Sequence, residues 1–395
     1  MKEKRLDLLA LASIPLVMTL GNSMLIPVLP MIEKELDISE FQSSLIITIY
    51  SIVAILLIPI AGYLSDKFGR KKVIIPSLII TAIGGTIAAV ASWLMNEPYL
   101  IILLGRFLQG IGAAGAFPVV IPTVSDMYKE EEEVSASLGI IETANTFGKV
   151  LSPIIGASLA LFIWYLPFVF VPIFAIISLL LVIFLVKVPK HKTGTNSSFA
   201  DFLIDIKKVF KQSGRWLIAI FLIGGLNMFV LFGYLFHFSN MLENQYQING
   251  MIKGFILAIP LLLLCGASYI SGKKIGDNKV LMKWLIFTGN ILIGIPLLFI
   301  NKHLSLTMVT IILSISSLGI GISLPSLDTL ITEGIEKEIR GTVTSLYSSM
   351  RFLGVATGPP IVALMEGNIR ILYMTLAILS GIAAITALFA VRPED

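Results

Sequence analysis

Apolar residues run along this chain in long unbroken stretches, and the short segments between them hold most of the charge. Stretches of spanning length fall at roughly 8–32, 42–65, 73–95, 99–125, 134–158, 162–187, 215–239, 250–272, 281–300, 304–332, 341–365 and 369–391. In lipid a run of this kind must be a helix, because each backbone polar group has to find its partner within the segment. About 20 residues suffice to cross the hydrocarbon. The pattern predicts an all-α integral membrane protein with twelve transmembrane helices. The shortest separating loops lie around Trp164–Pro167 and Lys302–Leu304.

The placement of Lys and Arg gives the orientation. The N-terminus, the segments near 66–72, 126–133, 187–215, 272–283 and 333–340, and the C-terminus hold 22 of the 29 basic residues. The opposite loops hold Lys34, Lys253, Lys302 and Arg370, while Arg106, Lys149 and Arg351 lie within spans. This bias predicts that both termini are cytoplasmic. Composition agrees: 395 residues are 56% hydrophobic and only 14% charged, whereas soluble domains carry roughly 25% charged residues. Twelve spans leave room for short loops and one linker, which excludes a large soluble catalytic domain. Intrinsic disorder is excluded by the same hydrophobicity. Cys265 is the one cysteine, so no intrachain disulfide or thiolate metal site can form. The first apolar run has no small-residue cleavage site and reaches spanning length, so it reads as a span and not as a signal peptide.

Three parts follow: an N-terminal six-helix bundle over 1–187, a cytoplasmic linker over 188–214 and a C-terminal six-helix bundle over 215–395. The linker contains Lys-Thr-Gly-Thr-Asn-Ser-Ser at 192–198, a flexible composition. Phe202, Ile206, Val209 and Phe210 beside Asp205, Lys207, Lys208 and Lys211 predict a short basic amphipathic helix on the membrane surface. The halves also resemble each other. Gly69 and Gly276, Pro118 and Pro325, and Asp126 and Glu333 share an offset of 207 residues; Gly148 and Gly354, and Pro153 and Pro359, share 206. Landmarks at nearly one offset indicate duplication of a six-helix unit, as in secondary transporters.

The loop after the second span reads Gly62-Tyr-Leu-Ser-Asp66-Lys-Phe-Gly69-Arg70-Lys71-Lys72. A tight turn between helices requires glycine at Gly69, and Arg70 can pair with a carboxylate. This loop closely resembles the signature Gly-x-Leu-x-Asp-x-x-Gly-Arg-Lys/Arg of the major facilitator superfamily. Span one carries Gly21 and Pro27-Val-Leu-Pro30, and span four carries Arg106-Phe-Leu-Gln109-Gly110, similar to segments of the drug:proton antiporters. Span five carries Gly139, Gly148, Ser152-Pro153 and Gly156-Ala157. It resembles their antiporter motif with two glycines replaced by Ser152 and Ala157, both small enough for close helix packing. The resemblance covers essentially the whole chain. It implies a major facilitator fold, two pseudo-symmetric six-helix bundles, and a proton-coupled exporter of small lipophilic or cationic compounds working by alternating access in a bacterial plasma membrane.

An ionisable group inside a span is costly and is a functional candidate by default. The resemblance places spans one, four, seven and ten around the central cavity, hence Arg106 and Asp328 beside it. Proton exchange needs a carboxylate whose hold on its proton changes during the cycle. Asp328 with Arg351 within reach, or Glu142 with Lys149 about 10 Å further along the helix, could form such a couple, and the resemblance adds Arg106. A static ion pair between helices is the competing reading for each. The resemblance also implies a conformational latch of Gly62, Asp66, Gly69, Arg70 and Asp126, with Arg70 paired to Asp126 and Asp66 capping span eleven. Gly139, Gly148, Pro153 and Gly156 would pack the antiporter helix. Asn22, Met24, Asn227, Phe229, Phe232 and Tyr234 are candidate substrate contacts, because a Met and aromatic surface adapts to varied ligands. His237, near the outer end of span seven, reads as a lone interfacial histidine.

The competing cargo class is a metallophore, sugar or other dedicated metabolite. A membrane-embedded enzyme is the weaker alternative: His191, His237 and His303 are dispersed, and neither a His-Glu-x-x-His segment nor a phosphate loop occurs. The expected partners are therefore a small-molecule substrate, protons and membrane lipid. No nucleic acid, metal or cofactor is called for, and a monomer suffices.

Overall fold

A computed structural model describes residues 2–128, 131–187, 199–275, 278–333, 337–365 and 367–391. The regular structure among them is helical: α1 (Lys2–Ser23), α2 (Leu29–Leu36), α3 (Glu40–Phe68), α4 (Arg70–Leu94), α5 (Tyr99–Met127), α6 (Glu131–Ala160), α7 (Leu166–Leu185), α8 (Phe199–Asn244), α9 (Gly250–Ile275), α10 (Lys279–Leu297), α11 (Leu306–Glu333), α12 (Lys337–Met365) and α13 (Ile369–Ala390). Ten segments among the described residues are long and apolar enough to cross a membrane, with α1 and α2 joined as Arg5–Leu36. The expected spans at 134–158 and 341–365 coincide with the other two long helices, α6 and α12. Polar side chains dilute their apolar runs: Glu142, Thr143, Asn145, Thr146 and Lys149 in α6, and Thr344, Ser345, Ser348, Ser349 and Arg351 in α12.

The chain divides into two compact units, Met1–Leu203 and Ile204–Asp395. Within the first, α1 packs on α6 and α7, α5 packs on α3 and α4, and α4 packs on α7. The second repeats this order internally. Its α11 packs on α9 and α10, and α10 packs on α13. Its α8 meets α12 where the backbones of Gly225 and Gly354 approach, and meets α13 through a bond from His237 to Tyr373. The 192–198 stretch, expected from its composition to be flexible, lies outside the described residues. The amphipathic helix expected over Phe202–Lys211 is not separate: α8 runs 46 residues without interruption into span seven.

Span one is broken. Residues Ile26–Val28 form a single 3-10 turn between α1 and α2, where one continuous run was expected. Pro27 has no N–H to return to the turn before it, and Pro30 repeats the lack three residues on, so the α-ladder cannot continue there. The break makes room for α6. A Cβ at Gly156 would collide with the Met24 carbonyl oxygen, and one at Gly148 would meet the Leu16 carbonyl at 3.2 Å. Gly354, at the position equivalent to Gly148, would collide with the Gly225 carbonyl in the same way. Among the described residues, a Cβ at Gly139 would meet nothing within 4 Å. Ser152 Oγ donates to the Gly148 carbonyl at 2.6 Å beside Pro153.

Backbone cannot step aside as a flexible side chain can. Gly156→Ala is therefore expected to destabilise the protein by about 1–3 kcal/mol or more, read as a lower melting temperature in detergent. Gly139→Ala is the control, with a change within about 0.5 kcal/mol. Equal melting of the two variants would contradict the packing described.

Candidate functional site

The first unit is organised around Arg106. On α5 it is completely buried, and its planar fork reaches two other helices. Nε donates to the Ile46 carbonyl on α3 at 2.8 Å, and Nη1 donates to the Gly21 carbonyl on α1 at 3.1 Å and to Gln109 Oε1. Nη2 donates to Asn22 Oδ1. The guanidinium lies over the Tyr50 ring, 4.6 Å from its centroid. Every one of these partners is neutral. Gly21 and Asn22 sit just before the break in span one, so the arginine holds backbone and side-chain acceptors at the place where the helix ends. Sequence reasoning placed Arg106 with the proton-coupling carboxylates; the structure brings it to Asn22, another candidate residue, and to no carboxylate among the described residues.

The two carboxylates have different company. Glu142 is half-buried on α6 and accepts from Asn145 Nδ2, at 3.1 Å to one oxygen and 3.3 Å to the other. Asn145 Oδ1 in turn accepts from Thr19 Oγ1 on α1 at 2.6 Å. Lys149 is buried two turns further along α6 and has interactions of its own, but Glu142 is held by the amide and not by this lysine. Asp328 on α11 lies 3.4 Å from Arg351 Nη1 on α12, so that expected pair is brought together. The Arg351 guanidinium also lies 5.7 Å from the Tyr347 ring centroid.

The signature loop is compact. Gly69 has φ +101°, a conformation open to glycine and strained for other residues. It ends α3 and starts α4 within one residue, which turns Arg70 back toward α5. Arg70 Nε lies 2.9 Å from Asp126 Oδ2, and Nη1 donates to Asp66 and to Ser65 Oγ at 2.8 Å. Ser65 Oγ donates to the Gly62 carbonyl at 2.8 Å, so all five signature residues belong to one cluster. Asp66 was also expected to cap the start of span eleven; residues 334–336, just before it, lie outside the described residues. Lys71, read from sequence as an orientation signal, also donates to the Ile183 and Val186 carbonyls, both at 2.9 Å, closing the end of α7.

The candidate substrate contacts Asn22, Met24, Asn227, Phe229, Phe232 and Tyr234 are all buried. Asn227 Nδ2 donates to Ser323 Oγ at 3.0 Å, and the Tyr234 and Ser317 hydroxyls share a 2.6 Å bond. These polar groups tie α8 to α11. His237 is not a lone interfacial residue: it is buried, with Nδ1 3.0 Å from the Tyr373 hydroxyl. A further ionic site escaped the sequence reading. Lys253 does not sit in a loop but on α9, buried and 2.9 Å from Glu243 Oε2 on α8. Its signal was a lone acid ten residues upstream across a short turn.

Comparison with known proteins extends what these sites imply. The family model for the Major Facilitator Superfamily matches residues 11–359 and 282–395. The Bacillibactin exporter of Bacillus subtilis (strain 168) is 54% identical over 98% of this chain and 95% of its own length. Multidrug resistance protein 1 of the same organism is 23% identical over 97% of this chain and 96% of its own. Among solved structures, the human organic anion transporter MFSD10 (TETRAN) superposes with a TM-score of 0.77 at 19% identity, covering 97% of this chain and 99% of that one. That likeness concerns the fold. With its many apolar helices and bacterial relatives this is a multi-pass protein of the cell membrane, and it belongs to the major facilitator superfamily of transporters.

Proposed function

We propose that this chain is a proton-coupled exporter dedicated to one metallophore-type metabolite, bacillibactin or a close analogue. The observation that carries the reading is the 54% identity, sustained over nearly the full length of both chains, to the Bacillibactin exporter. Multidrug resistance protein 1, matched over a similar length, shares 23%. In this reading twelve spans form two six-helix bundles joined by the 188–214 linker, with both termini cytoplasmic, and one chain suffices. Cargo moves by alternating access, leaving the cell as protons enter. One charge crossing 100 mV releases about 2.3 kcal/mol, so one or two protons support strong accumulation outside.

The geometry above supports the following roles. The Arg70–Asp126–Asp66 cluster acts as the latch between conformations, and Asn22, Met24, Asn227, Phe229, Phe232 and Tyr234 become cargo contacts as their helices part. A carboxylate within a span, Glu142 or Asp328, binds the coupled proton; Arg351 holds Asp328, and Arg106 braces α1, on which α6 packs. A second reading, multidrug antiport of lipophilic or cationic compounds, is favoured by the antiporter-like glycines Gly148 and Gly156 in α6.

One experiment separates the two. Purified protein in vesicles under an imposed inward proton gradient is given bacillibactin, a lipophilic cation and a fluoroquinolone-like zwitterion, with and without an uncoupler. Uncoupler-sensitive movement of bacillibactin alone is the expected result. Movement of all three would replace the dedicated reading with the multidrug one, and gradient-independent movement would remove proton coupling.

A further inference from the structure

The duplicated units place different residues at one equivalent position. The 206-residue offset that carries Gly148 onto Gly354 and Pro153 onto Pro359 also carries Asn145 onto Arg351. Each of these residues holds a carboxylate within its own unit. Asn145 holds Glu142 from three residues away on the same helix, and Arg351 holds Asp328 from the neighbouring helix. The anchor position is thus shared, while the anchors are an amide in one unit and a guanidinium in the other.

We propose that this position decides which unit binds the transported proton: the amide anchor makes Glu142 the proton site, and the guanidinium anchor keeps Asp328 as a fixed ion pair. The inference rests on the proton-coupled reading above and narrows it to one carboxylate. The chemistry of the anchors supports it. An amide carries donors and an acceptor, whereas a guanidinium carries donors only. Asn145 donates through Nδ2 to the Glu142 carboxylate. When a proton adds to that carboxylate, the new O–H needs an acceptor, and a flip of the amide presents Oδ1 in place of Nδ2. Thr19, whose hydroxyl both donates and accepts, can follow the flip. Loss of the proton to the cytoplasm restores the present arrangement. The Thr19–Asn145–Glu142 chain therefore remains hydrogen-bonded in both protonation states. Protonating Asp328 is costlier: a charge-assisted bond to Arg351 is lost, and the guanidinium, a donor only, cannot accept the new O–H.

The charged groups around each site are consistent with this division. Of the helices packed on α6, α7 carries no charged residue. Helix α5 carries Arg106, held by neutral acceptors, and Asp126, held by Arg70. Helix α1 carries Lys2, Glu3, Lys4, Arg5 and Asp7 in its first turns, well before Thr19, and α6 itself carries Glu131, Glu132, Glu133 and Lys149. Asp328 shares α11 with Glu333 and faces α12, with Lys337, Glu338, Arg340 and Arg351. It also lies on a helix packed against α9, with Lys253, Lys273 and Lys274, against α10, with Lys279 and Lys283, and against α8, with Asp201, Asp205, Lys207, Lys208, Lys211, Arg215, His237 and Glu243.

The test uses the full chain in vesicles, with bacillibactin as the probe, and a cargo-free infrared titration that follows the carbonyl band of protonated carboxylic acids. For the wild type, bacillibactin affinity is expected to change between acid and alkaline medium by a coupling factor of about 5- to 150-fold. Glu142→Gln is expected to bring that factor to about one and to remove the titrating acid band. Asp328→Asn should keep both, and Arg351→Asn should add a second titrating band by replacing the guanidinium beside Asp328 with an amide. Retention of the band in Glu142→Gln with its loss in Asp328→Asn would overturn the inference. Because the infrared arm needs no cargo, it judges Glu142 even if the wild type proves not to be driven by protons, a result that would overturn the proposed function instead.

Discussion

Arg106→Leu is expected to lower the stability of the folded protein by about 3 kcal/mol or more, because it takes the guanidinium donors away from four buried acceptors. The Gly21 and Ile46 carbonyls, Asn22 Oδ1 and Gln109 Oε1 each lose a bond to the guanidinium, and an orphaned buried polar group costs about 1–3 kcal/mol. Some of that cost is offset because a buried charge is removed with the side chain. Arg106→Lys keeps the charge but replaces a planar fork by a compact ammonium on a flexible stem. It cannot reach α1 and α3 at once, so it should rescue only part of the loss. Unfolding followed in detergent gives the ranking: wild type above lysine, lysine above leucine. A lysine variant that melts like wild type but fails to transport would shift Arg106 from bracing the broken span to handling charge.

This residue shows what sequence reasoning can and cannot reach. A charge within an apolar run is visible at once, and so is the need for partners. The partners are invisible, since two of them are backbone carbonyls contributed by other helices. The rotation of each helix about its axis, which decides what faces what, is not encoded in the period of a uniformly apolar run. Contacts within one helix are easier: Glu142 and Asn145 are three residues apart and so share a face. The turn at Gly69 was legible because a motif with defined spacing demanded it. The prolines at Pro27 and Pro30 were also in plain view, and their missing N–H groups account for the break in span one. Hydrophobicity alone passed over it, because the apolar run continues through the kink. Likewise the amphipathic segment at Phe202–Lys211 has no proline to separate it from span seven, so one helix takes both. Lys253 was assigned by counting positive charges near span ends, a rule that gives side but not depth.

Lys253→Met alone is expected to destabilise the second unit by about 3–5 kcal/mol, the cost of leaving one member of a buried ion pair without its counter-charge. Lys253 Nζ lies 2.9 Å from Glu243 Oε2, and their side chains are 2% and 9% exposed. The pair closes a short turn that is fastened by other bonds as well. The Ile248 N–H returns to the Leu242 carbonyl at 2.8 Å, and the Tyr246 hydroxyl reaches the Leu304 carbonyl at 2.8 Å. With the turn held by these contacts, the ion pair need not supply its geometry. Its desolvation is large, and an apolar pair of similar size avoids that cost. The double variant Glu243→Leu with Lys253→Met should therefore recover most of the stability lost by either single change, measured as melting temperature on one detergent preparation. Losses that simply add would mean that the two residues act separately, each through its other contacts, and that the buried charge pair is not a unit.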